Sequence, residues 1–179
     1  MRLWFAAVPA AMLAVAAPAQ MATGAKVPAS FVAIDAQGKS RNLASIAGRK
    51  GVVLVFIRSA RWCPFCQAQL KAMKPLQGEL AKRGYGLAAI SYDPPADLAK
   101  FAKAQAIGFP LLADEKSVMI DAFGLRDPAY AKGSFAHGVP KASTYVIDTA
   151  GTVRWRTVAA DYKVRDDSAT ILTAVDRLR

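Results

Sequence analysis

Histidine and cysteine are scarce in this 179-residue chain, which holds one histidine and two cysteines. A closed zinc site wants four ligands, so a structural zinc centre lacks donors. The two thiols, Cys63 and Cys66, stand within "RWCPFC", and the next residue is Gln67. That excludes haem attachment, which needs histidine directly after the second cysteine. Acidic side chains are also in the minority, 13 against 24 basic ones, for a net charge of +11. The basic residues are scattered, never more than two together, so they read as a solvated surface. Nucleic acid is not an expected partner. No internal repeat is present, and no low-complexity stretch beyond an alanine-rich start.

That start is the one long hydrophobic run. "MRLWFAAVPAAMLAVAAPAQ" places Arg2 before an apolar stretch and ends in Ala17-Pro18-Ala19, the small-x-small order of a signal-peptidase site. A membrane-spanning helix needs about 20 predominantly apolar residues, and this run is slightly short and broken by Pro9 and Pro18. The expectation is a signal peptide over residues 1–19, a linker over 20–30 and one domain over 31–179. Export to a bacterial periplasm or beyond the cell follows, with no stable membrane insertion once the signal is removed. That compartment is oxidising.

The domain itself alternates strand and helix patterns. "FVAID", "AQGK" and a second turn cluster predict a short strand or hairpin. "VVLVFI" is an unbroken β-branched and aromatic run, as expected of a strand covered on both faces. Leu70, Met73, Leu76 and Leu80 recur at helical spacing between Pro64 and Arg83, with Pro75 predicting a kink and Gly84 a stop. "YGLAAISYD" predicts a strand and "PPADLAKFAKAQAIG" a helix. "FPLLAD" and "EKSVMIDAFGL" predict a short apolar stretch and a short helix. "STYVID" and "VRWRTV" flank a turn as a hairpin, and a closing helix is capped by Asp167 or Ser168. Phe101 and Trp155 read as core. This order predicts a mixed α/β sheet with helices on both faces.

Within that order Cys63 falls where a buried strand hands over to a helix, with Pro64 at the favoured first helical position. Unpaired N–H groups and the positive end of the helix dipole then face its sulfur. Cysteines so placed ionise at roughly 3.5–7.5 instead of about 8.5. Arg58 and Arg61 are near enough in sequence to add to the effect. Cys66, one turn further in, should be more covered and closer to an ordinary thiol. A structural clip would close a loop of only four residues, and disulfide stabilisation grows with loop length. Reversible redox chemistry suits an asymmetric pair better: one sulfur attacks and the other resolves the mixed disulfide. A copper site of Cys63, Cys66 and His137 is the remaining non-enzymatic alternative.

The run "VVLVFIRSARWCPFC" resembles the thioredoxin-like superfamily, in which an apolar strand leads into Trp-Cys-x-x-Cys at a helix start. The downstream segments "ISYDPPADLAKFAKAQAIGFPLLADEKSVMIDAFGL" and "STYVIDTAGTVRWRTV" are similar to its redoxin branch, the alkyl hydroperoxide reductase and thiol-specific antioxidant family that includes peroxiredoxins. The resemblance implies a three-layer α/β/α sandwich with a mixed central sheet and an oxidoreductase needing no prosthetic group. It implies Cys63 as nucleophile and Cys66 as resolving thiol, with Trp62 flanking the sulfur. It also implies a cis-proline at Val139-Pro140 whose backbone docks substrate. Partners would be protein or small-molecule thiols and disulfides, peroxides, and an electron donor.

The departures bear on which chemistry dominates. Peroxiredoxins carry a hydroxyl three residues before the reactive cysteine and a distant arginine, and both polarise the peroxide. Here Ala60 and Ala142 stand at those positions, with Ser59 one residue out of register and Lys141 beside Ala142. Ile57 replaces the acid that thioredoxins keep six residues before the first cysteine. The sequence therefore favours thiol–disulfide exchange, with a thiol-dependent peroxidase as the alternative.

Overall fold

The computed structural model describes residues 19–178, so the expected signal peptide lies outside the described residues but for Ala19. Among the described residues no helix is long and apolar enough to cross a membrane. Seven strands form one sheet in the order β2-β1-β5-β4-β3-β6-β7. They are β1 (Val32–Asp35), β2 (Ser40–Asn42), β3 (Gly51–Phe56), β4 (Tyr85–Ser91), β5 (Leu111–Ala113), β6 (Ser143–Asp148) and β7 (Val153–Val158). Strands β3, β4 and β5 run parallel, whereas β6 lies antiparallel to β3, β7 to β6, and β1 to both β2 and β5. The sheet is therefore mixed, as the order of elements required.

Strand β3 has no exposed residue because helices cover both faces. Val53, Val55 and Ile57 point into one cluster, where Leu70, Leu76, Leu80, Leu98 and Ile171 pack. Val52, Leu54 and Phe56 point into the other, against Phe31, Ile120, Phe123 and Tyr145. The first layer holds α2 (Pro64–Ala72), α3 (Lys74–Lys82), α4 (Pro95–Gln105) and α6 (Ser168–Asp176); the second holds α1 (Leu43–Ile46) and α5 (Val118–Ala122). Truncating a fully buried leucine such as Leu70 leaves a cavity and costs about 2–5 kcal/mol. The result is the three-layer thioredoxin-like sandwich that the sequence predicts. Phe101 and Trp155 pack against the first cluster as partly buried residues.

Three local features differ from the sequence expectation. The kinked helix over 64–83 is two helices, because Pro75 lies in the first turn of α3, where a missing N–H leaves no hydrogen bond unmade. Gly84 ends α3 with φ of +86°, a conformation that glycine adopts at no steric cost. Helix α1 is too short for any periodicity; a capping box of Asn42 and Ser45 holds it instead. Residues 20–30, expected as a linker, are tied to the body. Gly24 N–H donates to Val153 O at 2.8 Å and Val27 N–H to Gly151 O at 2.8 Å.

Candidate active site

The loop from β3 into α2 carries both thiols. Cys63 is the N-cap of α2, in extended backbone (φ −94°, ψ 104°), with Pro64 opening the first turn. Its Sγ accepts the Cys66 backbone N–H at 3.3 Å, so the helix end is capped by sulfur. Cys63 is 2% exposed and Cys66 is fully buried, and both are free thiols.

A buried carboxylate sets the loop that delivers them. Asp93, just past β4, accepts from Ala60 N–H at 2.6 Å, Ser59 Oγ at 2.7 Å and Ser91 Oγ at 2.9 Å. Ser59 Oγ in turn accepts from the N–H groups of Arg61 and Trp62 at 2.9 and 3.2 Å. Four consecutive residues are thus pinned to a group thirty positions away. Burial pushes the Asp93 carboxyl up from its ordinary value, against the pull of these hydrogen bonds. Ser59, out of register for a peroxide, serves the loop, and its backbone N–H reaches Cys66.

The two thiols influence each other's ionisation. Cys66 is lowered to about 6, chiefly because Cys63 donates a hydrogen bond to it; Ser59 N–H and Arg165 add to the effect. Cys63 is raised, first by giving that hydrogen bond and then by burial. The Cys66 sulfur accepts the Ser59 N–H and the Arg165 guanidinium together, and both favour the anionic form of the pair. Passing the proton from Cys63 to Cys66 moves the charge onto the capping sulfur.

The cation at this site is Arg165, which the sequence reading did not single out. Its Nη2 lies 3.4 Å from Cys66 Sγ and 3.9 Å from Cys63 Sγ. It comes from the loop between β7 and α6, about a hundred residues downstream. Nothing near it in the sequence marks it; the fold brings its loop against α2, where Tyr162 meets Phe65 edge-on.

Arg58 and Arg61, expected beside the thiols, are engaged elsewhere. Arg58 is 3% exposed and donates to Asp127 Oδ2 at 3.0 Å and Tyr130 Oη at 2.7 Å. Its guanidinium also stacks on the rings of Trp62, Tyr130 and Tyr162. It thereby organises an aromatic rim. Arg61 reaches outward to Asp97 at 3.6 Å, with its side chain 70% exposed. Trp62 belongs to the rim, donating from Nε1 to Tyr92 Oη at 2.9 Å and meeting Phe135 edge-on.

The docking role expected of Val139 and Pro140 is not supported. Among the described residues no peptide bond is cis, so Pro140 is an ordinary trans proline. Val139 N–H donates to Ala136 O at 3.1 Å, and Val139 O accepts from Asp127 N–H at 2.9 Å. Those bonds leave Val139 no free backbone group. The segment is taken up by pairing with residues 125–127 instead. The copper alternative also loses its ligand set. His137 is an exposed loop residue beside Arg126 and Tyr130, and among the described residues no three metal-ligating side chains cluster.

Comparison with known proteins agrees with this architecture. The AhpC/TSA family matches residues 23–156. A Mycobacterium tuberculosis protein carrying a peroxiredoxin name is 33% identical over 146 residues, 82% of this chain and 88% of that one. The thiol-disulfide oxidoreductase ResA of Halalkalibacterium halodurans is 32% identical over 98 residues, 54% of each chain. The crystal structure of peroxidoxin BcpB from Mycobacterium tuberculosis superposes with a TM-score of 0.75 at 28% identity, covering 89% of this chain and 99% of that one. With a paired thiol at a helix start, a thioredoxin-like sheet behind it and a family match across most of its length, this chain belongs to the AhpC/TSA family of redoxins and is an oxidoreductase.

Proposed function

We propose that the protein is a thiol-dependent peroxidase whose oxidised form is an intramolecular Cys63–Cys66 disulfide. The observation that carries this reading is Arg165 at 3.4 and 3.9 Å from the two sulfurs. Peroxide cleavage develops charge on oxygen, and preorganised donors aimed there usually supply the largest share of barrier lowering. The sequence pattern lacks that donor at Ala142; a different arginine stands at the thiols. The burial of both sulfurs further favours a small oxidant over a protein disulfide.

The chemistry balances without a prosthetic group. The Cys63 thiolate attacks one oxygen of the hydroperoxide; an S–O bond forms, the O–O bond breaks, and the departing alkoxide or hydroxide takes a proton. Cys66 then attacks the Cys63 sulfenic acid, forming the S–S bond and releasing hydroxide that leaves as water. Two electrons pass from the thiol pair to the peroxide. An external thiol reductant restores both thiols by exchange.

Thiol–disulfide exchange as the main activity is the second reading. It rests on the Trp-Cys-x-x-Cys placement at the start of α2 and on the similarity to ResA. Export before action is a further part of the proposal, motivated by residues 3–19. Intact mass from a secreting host should match a chain beginning near Gln20.

Treating the reduced protein with hydrogen peroxide tests the main reading. The wild type should lose two hydrogens as a disulfide, and Cys66→Ser should stop at a sulfenic acid trapped by dimedone. Retention of both free thiols in peroxide, while a small disulfide oxidises them, would overturn it.

A further inference from the structure

Arg165 sits on a loop that has no regular structure of its own, so something must hold its guanidinium at the sulfurs. Its neighbour Asp166 supplies the hold. Asp166 Oδ2 accepts the Thr144 hydroxyl at 2.6 Å and the Thr157 hydroxyl as well. Thr144 and Thr157 are direct cross-strand partners in β6 and β7. The carboxylate is thus gripped by two hydroxyls presented side by side on the sheet. The loop also leaves the sheet in register, with Ala159 N–H donating to Ala142 O at 2.8 Å. Arg165 Nη1 closes the loop on itself through the carbonyls of Val164, at 2.7 Å, and Tyr162.

We infer that Asp166, gripped by Thr144 and Thr157, is a positioning residue that fixes Arg165 over the Cys63–Cys66 pair. It acts through Arg165, since the carboxylate itself binds the two hydroxyls. The inference deepens the proposed peroxidase reading by naming how this chain holds a polarising arginine from a loop. It rests on that reading only for its catalytic consequence. Arginine is suited to the place because its planar fork can serve the loop carbonyls through one nitrogen and the sulfurs through another. Among the described residues no other cation is placed at the sulfurs: Arg58 is matched by Asp127 and Arg61 by Asp97. Asp93 is engaged with Ser59 and Ala60 in the loop before α2.

Two readouts on the full-length protein test it: the thiolate's ultraviolet absorbance against pH, and the rate with hydrogen peroxide. Asp166→Asn should cut the thiolate population near pH 6 several-fold, in the same direction as Arg165→Ala. Thr144→Val and Thr157→Val should each give a smaller shift of the same sign. The Asp166→Asn/Arg165→Ala double variant should be no worse than Arg165→Ala alone, because the clamp has nothing left to hold. A wild-type titration in Asp166→Asn, or losses that add in the double variant, would overturn the inference. Should Asp166→Asn fail to fold by circular dichroism, Thr157→Val decides by shifting the titration or leaving it unchanged. The titration contains no peroxide, so the clamp can stand while the peroxidase reading fails, and the reverse.

Discussion

Two walls of different origin enclose the sulfurs. One is the contiguous stretch 58–66, where β3 turns into α2, and the other is the loop over 159–167. The first wall is built mainly by local rules, a buried strand, an N-cap and a proline in the first turn, with the distant carboxylate of Asp93 pinning the bend. The second is built by tertiary contact, with an aspartate held between two strands and an arginine lying over the thiols. The first wall makes the nucleophile. The second adds a guanidinium that further favours the thiolate. A reactive thiol can thus be assembled from a short stretch of chain, while its polarising partner is free to arrive from anywhere the fold brings close.

The largest test of this division strikes the first wall directly. Cys63→Ser should reduce peroxide consumption to background in a coupled thiol assay, because no other sulfur occupies the cap. Cys66→Ser should still react once per molecule, stopping at the sulfenic acid. Next comes the second wall. Arg165→Ala should slow oxidation by hydrogen peroxide on the order of a hundredfold, the usual cost of removing one preorganised donor. Arg58→Ala should cost far less, since its guanidinium serves Asp127 and the aromatic rim.

Acidity sharpens the comparison further. The reactive species is the anion, and the pair's first ionisation lies at about 6. Rates of peroxide oxidation should therefore be flat above that value and fall about tenfold per pH unit below it, as the proton returns. In Arg165→Ala the falling limb should move to higher pH, because one source of anion stabilisation is gone.

The two smallest effects concern stability. Asp93→Ala leaves Ala60 N–H and two serine hydroxyls without their buried acceptor. It should lower stability by about 1–3 kcal/mol in urea unfolding. Phe135→Ala removes a ring that is 78% exposed, and should shift stability within about 0.5 kcal/mol.

What the sequence made legible follows the same line as the two walls. Strand β3, the helices on either side and the β6–β7 hairpin are written in uninterrupted apolar runs and helical spacing. The pair Cys63 and Cys66 is marked by its spacing and by Pro64. Arg165 could not be found that way, because its partners are about a hundred residues distant and its neighbours carry no pattern. Arg58 and Arg61 misled for the complementary reason: proximity in sequence suggested proximity to sulfur, but one side chain turned inward to Asp127 and the other outward to Asp97. The resemblance implies a docking role for Val139-Pro140, but the backbone pairing with residues 125–127 takes up the groups that such docking needs. Ala142 at the position of the family's arginine favours exchange in the sequence, whereas the fold brings a different guanidinium, Arg165, to the sulfurs.

The central claim is that Arg165 gives this thiol pair the electrostatics for peroxide cleavage. It is tested most directly by stopped-flow tryptophan fluorescence, with Trp62 near the sulfurs as reporter. The reduced wild type and Arg165→Ala would each be mixed with hydrogen peroxide and with a small aromatic disulfide. The account predicts that wild type reacts faster with peroxide by on the order of tenfold, about 1.4 kcal/mol of barrier, and that Arg165→Ala loses this preference. A wild type oxidised faster by the disulfide, with Arg165→Ala unchanged toward peroxide, would contradict it.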